Sequence, residues 1–70
     1  MFNLYFQRAN GELRFIQKVD KEEILSAINK EVERLNPNYK IYYVRSWGDD
    51  NRITYDVGSH TEFFIAEKVI

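Results

Sequence analysis

Alternation of apolar and polar positions dominates the first nineteen residues, and "ANGE" interrupts it at Asn10-Gly11. Asn-Gly is the preferred pair for a two-residue type I′ turn, because both positions need positive φ. Setting Ala9 opposite Glu12 then places Phe2, Leu4 and Phe6 against Val19, Gln17 and Phe15 on one face. Tyr5 meets Ile16 and Gln7 meets Arg14 on the other.

The period then changes from two to 3.6. In "KEEILSAINKEVERL" the residues Ile24, Leu25, Ile28, Val32 and Leu35 form one stripe of an amphipathic helix. Asp20 stands at the N-cap with Glu23 completing a capping box, Val19 can staple to Ile24, and Pro37 marks the end. Alternation returns in "YKIYYVRSW" and "RITYDV", which flank "GDDN" and predict a second hairpin with a loop of about four residues. Trp47 opposite Arg52 pairs Ser46 with Ile53, Val44 with Tyr55 and Tyr42 with Val57. The closing "TEFFIAEKVI" is β-prone and predicts a fifth strand.

The expected fold is therefore α+β, with element order ββαβββ and one amphipathic helix on one face of an antiparallel sheet of about five strands. No repeat or linker-like tract divides the chain, so residues 1–70 read as a single domain. One helix leaves the second sheet face open. On the registers above that face collects Asn3, Tyr5, Gln7, Arg14, Ile16, Lys18, Tyr43, Arg45, Trp47, Arg52, Thr54 and Asp56.

Composition narrows the chemistry. The chain has seventy residues, no cysteine and one histidine, which excludes disulfides and zinc-thiolate sites. A core of this size leaves only about 3–5 kcal/mol of net stability, so association with a second copy is a live expectation. If the apolar last strand lies at a sheet edge, it can pair with its counterpart in a homodimer. The opening segment lacks the basic start and unbroken apolar run of a signal peptide, and no stretch reaches the length of a membrane span, so a cytoplasmic location is expected.

Net charge is −1, yet its distribution is uneven: residues 20–36 carry five acids against three bases, residues 1–19 three bases against one acid. The mixture of Tyr, Trp and Arg on the open face has three readings. It stiffens a small sheet by cross-strand packing, it forms a protein-binding surface, or it stacks the bases of a single-stranded nucleic acid.

In "DVGSHTEFF" Gly58 is expected to supply a special backbone angle, with His60 at the tip of a corner. A Ser59-His60-Glu62 relay is not expected, since neighbours in an extended segment point in alternate directions. "GDDN" lacks the twelve-residue calcium pattern. No catalytic residues, metal or cofactor are expected. The run "RSWGDDNRITYDVGSHTEFF", Arg45 to Phe64, resembles the C-terminal part of small uncharacterised phage and prophage proteins of Gram-positive bacteria. That resemblance implies an accessory protein acting in the bacterial host cell, and it adds weight to the "GSHTEFF" corner as a surface. The partner-binding set is thus Tyr5, Arg14, Tyr43, Arg45, Trp47, Arg52, His60 and Glu62, engaging an unidentified protein or, alternatively, nucleic acid.

Overall fold

The computed structural model describes residues 1–41, 44–58 and 61–69. Its elements are β1 (Phe2–Gln7), β2 (Leu13–Val19), a 3-10 turn (Lys21–Glu23), α1 (Ile24–Leu35), β3 (Arg45–Gly48), β4 (Arg52–Asp56) and β5 (Phe63–Lys68). The five strands form one antiparallel sheet in the order β2-β1-β5-β4-β3. This is the expected ββαβββ arrangement with one correction. The last strand is central, so it offers no free edge for a homodimer; β2 and β3 are the edges. Apolar side chains on both faces of "FFIA" suit a strand with a neighbour on each side.

Helix α1 covers one face. Ile24, Ala27, Ile28 and Val32 are buried against Phe2, Leu4, Val19, Tyr55, Val57, Phe64 and Ala66. Leu25 and Leu35 are exposed, so the buried stripe is narrower than the sequence pattern. The capping box does not form. The 3-10 turn takes the Glu23 N–H onto the Asp20 carbonyl at 2.9 Å, the donor that the Asp20 side chain would have capped. The helix ends at Asn36 before Pro37, as expected, with the Asn36 N–H on Val32 O at 2.8 Å. Beyond it the Tyr39 hydroxyl donates to Val57 O at 2.6 Å, tying the crossover to the end of β4.

The first hairpin differs from the expected turn by one residue. Gly11 has φ +89, but Asn10 does not have positive φ, so the turn is not type I′. The Gly11 N–H donates to Arg8 O and the Arg8 N–H to Glu12 O, both at 2.8 Å, closing a three-residue loop over Ala9, Asn10 and Gly11. The Asn10 side chain accepts the Glu12 N–H, an alternative to adopting positive φ. Near the turn Gln7 pairs with Leu13, Phe6 with Arg14 and Tyr5 with Phe15. A bulge then leaves Ile16 without an opposite residue, and the expected pairs Leu4–Gln17 and Phe2–Val19 resume.

The second hairpin is tighter than expected. Trp47 pairs with Thr54, not Arg52, and Arg45 with Asp56. Asp49 caps the tip: its Oδ1 accepts the Asn51 and Arg52 N–H groups at 2.8 and 3.0 Å. Gly48 at φ +130 is indispensable there, because a Cβ would stand 2.1 Å from Arg52 O. The expected Tyr42–Val57 pair lies outside the described residues.

Candidate functional site: the uncovered sheet face

Registers that run through all five strands line up one complete row across the side of the sheet away from α1, with a shorter row on either side of it. The central row is Phe15, Tyr5, Ile65, Thr54 and Trp47, taken from β2 to β3. On one side lie Leu13, Gln7 and Phe63, with Asp56 and Arg45 continuing on β4 and β3. On the other lie Lys18, Asn3, Glu67 and Arg52.

The middle of this face is apolar. Phe15, Trp47 and Leu13 expose 55%, 49% and 42% of their surface. Two edge-to-face aromatic pairs stand there, Tyr5–Phe15 at 5.7 Å and Trp47–Phe63 at 5.9 Å between centroids. Thr54 is small enough for the Trp47 ring to lean across β4 toward Phe63. Between the pairs Ile65 is only 3% exposed, although it belongs to no contact with the helix-side core. Apolar burial on this side therefore begins without a second layer.

Arg45 and Arg52 on this face each stand beside a carboxylate. The Arg45 guanidinium meets Asp56 Oδ2 at 2.6 Å, and Arg52 lies 3.6 Å from Glu67. Asp56 also accepts the Gly58 N–H at 2.9 Å and is 4% exposed, so this carboxylate fastens the corner where β4 ends. Gly58 has the expected positive φ, +103. At the opposite end of the hairpin, the Asn51 and Arg52 backbone N–H groups hold the Asp49 carboxyl below its ordinary pKa. Burial pushes the Tyr55 phenol up.

Of the partner-binding set, Tyr5, Arg45, Trp47 and Arg52 come together here. Arg14 does not. The bulge turns it to the helix side, where it lies 5.9 Å from the Phe6 ring and 3.4 Å from Glu31, which Arg34 also pairs. Ile16, expected on this face, packs against the core. Glu62 likewise lines a cleft of about 140 Å³ beside the helix, with Val32, Leu35, Tyr39 and Phe64. Tyr43 and His60 lie outside the described residues. In exchange the face gains Leu13, Phe15, Phe63, Ile65 and Glu67. Phe63 and Ile65 alternate with the equally apolar Phe64 and Ala66, so which pair faces outward follows only from the pairing of β5 with β1 and β4; nothing local marks the bulge that brings Leu13 and Phe15.

Among the described residues no three His, Cys, Asp or Glu side chains gather as a metal site, and no helix is long and apolar enough to cross a membrane. Comparison with protein-family models, with curated proteins and with solved structures found no match.

Proposed function

We propose that this chain is a non-enzymatic protein-binding module that docks an apolar protein surface onto its uncovered sheet face. The observation that carries the reading is the pair of exposed rings at the ends of the central row, Phe15 packed on half-buried Tyr5 and Trp47 on half-buried Phe63, around an already buried Ile65 on the side away from α1. Tyr and Trp are the side chains enriched in binding hot spots.

The distribution of charge favours a protein over a nucleic acid. A single-strand platform combines stacking rings with cations free to meet phosphates. Here Arg14 has left the face, and Arg45 and Arg52 are each beside a carboxylate. Among the described residues of the face three cations, Lys18, Arg45 and Arg52, stand against two acids, Asp56 and Glu67. A phage or prophage accessory role, with a protein of the bacterial host or the phage as partner, rests on the Arg45 to Phe64 resemblance.

The test compares proteins retained from bacterial extract by the immobilised wild type and by Trp47→Ala. Retention that survives 0.5 M salt (about a 4 Å screening length) and disappears with Trp47→Ala, at unchanged circular dichroism, is the expected result. Equal retention by both chains contradicts it. A labelled single-stranded oligonucleotide is expected not to bind; affinity falling linearly with salt on a log-log plot would make nucleic acid the partner.

A further inference from the structure

We propose that Asn10 is a site of spontaneous covalent modification, at which the chain converts its own Asn10–Gly11 junction, through a cyclic imide, into aspartyl and isoaspartyl forms. The chemistry needs an asparagine amide, the backbone N–H of the next residue and solvent. A solvent base takes the Gly11 N–H proton, and the nitrogen bonds to Asn10 Cγ. The carbonyl electron pair moves onto Oδ1 and returns as Nδ2 leaves, protonated, as ammonia. Water then opens the five-membered ring. Breaking the new Cγ–N bond leaves an ordinary aspartate, and breaking the original peptide C–N bond leaves isoaspartate, with the chain running through Cγ.

The sequence holds six asparagines, and the structure separates this one from the rest. Pro37 follows Asn36 and has no N–H to give. Leu4, after Asn3, is fully buried in a strand paired on both sides. Asn29 lies within α1, its Nδ2 donating to Leu25 O at 3.0 Å. Tyr39 and Arg52, after Asn38 and Asn51, carry large side chains, and their N–H groups donate to Asn36 O and Asp49 Oδ1, both at 3.0 Å. Only Asn10 is followed by glycine. No atom lies within 4 Å of where a Gly11 Cβ would stand, so the nitrogen is approachable and the ring has room to form.

Two hydrogen bonds set the pace. The Gly11 N–H donates to Arg8 O at 2.8 Å and must leave it before attack. Arg8 to Glu12 are all exposed, and exposed loop tips open most readily. The second bond assists: Asn10 Oδ1 accepts the Glu12 N–H at 3.0 Å, a donor already placed on the oxygen where negative charge gathers during attack. The aspartyl product keeps an oxygen for that N–H and adds a charge. The isoaspartyl product puts an extra carbon into the main chain of a three-residue loop, ahead of the strand that carries Leu13 and Phe15 to the uncovered face.

Incubation of the folded full chain at mildly alkaline pH, followed by isoelectric focusing, tests this. A species one charge more acidic than the parent's −1 is expected to accumulate. Trypsin, cutting after Arg8 and Arg14, is expected to place the new carboxylate in the Ala9–Arg14 peptide, part of it as isoaspartate that accepts a methyl group from an isoaspartyl methyltransferase. Gly11→Ala is expected to slow the change and Asn10→Ser to abolish it, and Asn10→Ser decides should Gly11→Ala lose its circular dichroism signal. A folded wild type that keeps its charge for as long as the same chain in urea takes to turn acidic overturns the proposal, because the native turn then protects Asn10. An acidic species that persists in folded Asn10→Ser, or that maps outside residues 9–14, overturns it too.

Discussion

The β1–β2 hairpin carries an extra residue on β2, whereas the β3–β4 hairpin keeps one register from Arg45 to Gly48 without interruption. That single residue decides what each hairpin presents to solvent. On β2 it turns Leu13 and Phe15 outward and sends Arg14 to Glu31 on the helix side. On β3 the unbroken alternation leaves Arg45 and Trp47 together on the outer side. The character of the uncovered face therefore depends less on which residues the strands contain than on where one strand is irregular. The irregular strand supplies its most exposed aromatic, Phe15, and the regular one supplies Trp47.

The comparison can be broken at the turns and at the bulge. The largest effect is expected at Gly48, whose left-handed conformation and contact with Arg52 O exclude a side chain. Gly48→Ala should cost about 3 kcal/mol; chemical denaturation that finds the variant as stable as the wild type would remove the tight β3–β4 turn. Next is the pair that reads the bulge directly. Ile16→Ala, losing partly buried contacts with the core, should cost about 2 kcal/mol. Phe15→Ala should cost about 1 kcal/mol, mainly the Tyr5 contact. A Phe15 substitution that proves the more damaging would mean that β2 is not bulged and that its faces are exchanged.

Smaller again is Gly11→Ala. No atom lies within 4 Å of where its Cβ would stand, so the cost is the left-handed backbone alone, about 1 kcal/mol. A change in melting temperature as large as that of Gly48→Ala would show crowding at this turn. The smallest effect is at Asp49. Its folded pKa lies below the unfolded value, so its contribution is present above the ordinary carboxylate range and fades as pH falls through the folded pKa. Thermal melts of wild type and Asp49→Asn should therefore converge below about pH 4. A constant gap across pH would detach Asp49 from the turn.

Much of the fold was legible from periodicity alone. The change from alternation to a 3.6-residue stripe located α1, and Asn10-Gly11 located the first turn even though its type differs. The bulge was hidden because Phe15 and Ile16 are both apolar, so either can be assigned to the core without violating the pattern. The second hairpin was misaligned by two residues, yet its faces were right, since an even shift preserves alternation. Strand order was not readable: nothing in a hairpin says whether the last strand joins an edge or enters between β1 and β4. Of the candidate site, Tyr5, Arg45, Trp47 and Arg52 followed from alternation. Phe63 and Ile65 required knowing that β5 is central.

The central claim is that the bulged register builds a docking surface around Phe15 and Trp47. The most direct measurement is partner retention by Phe15→Ala and Arg14→Ala chains side by side, each verified as folded by circular dichroism. The account predicts that Phe15→Ala loses the partner and Arg14→Ala keeps it, because only Phe15 reaches the uncovered face. Loss with Arg14→Ala and retention with Phe15→Ala would contradict it, placing the working surface on the register without the bulge.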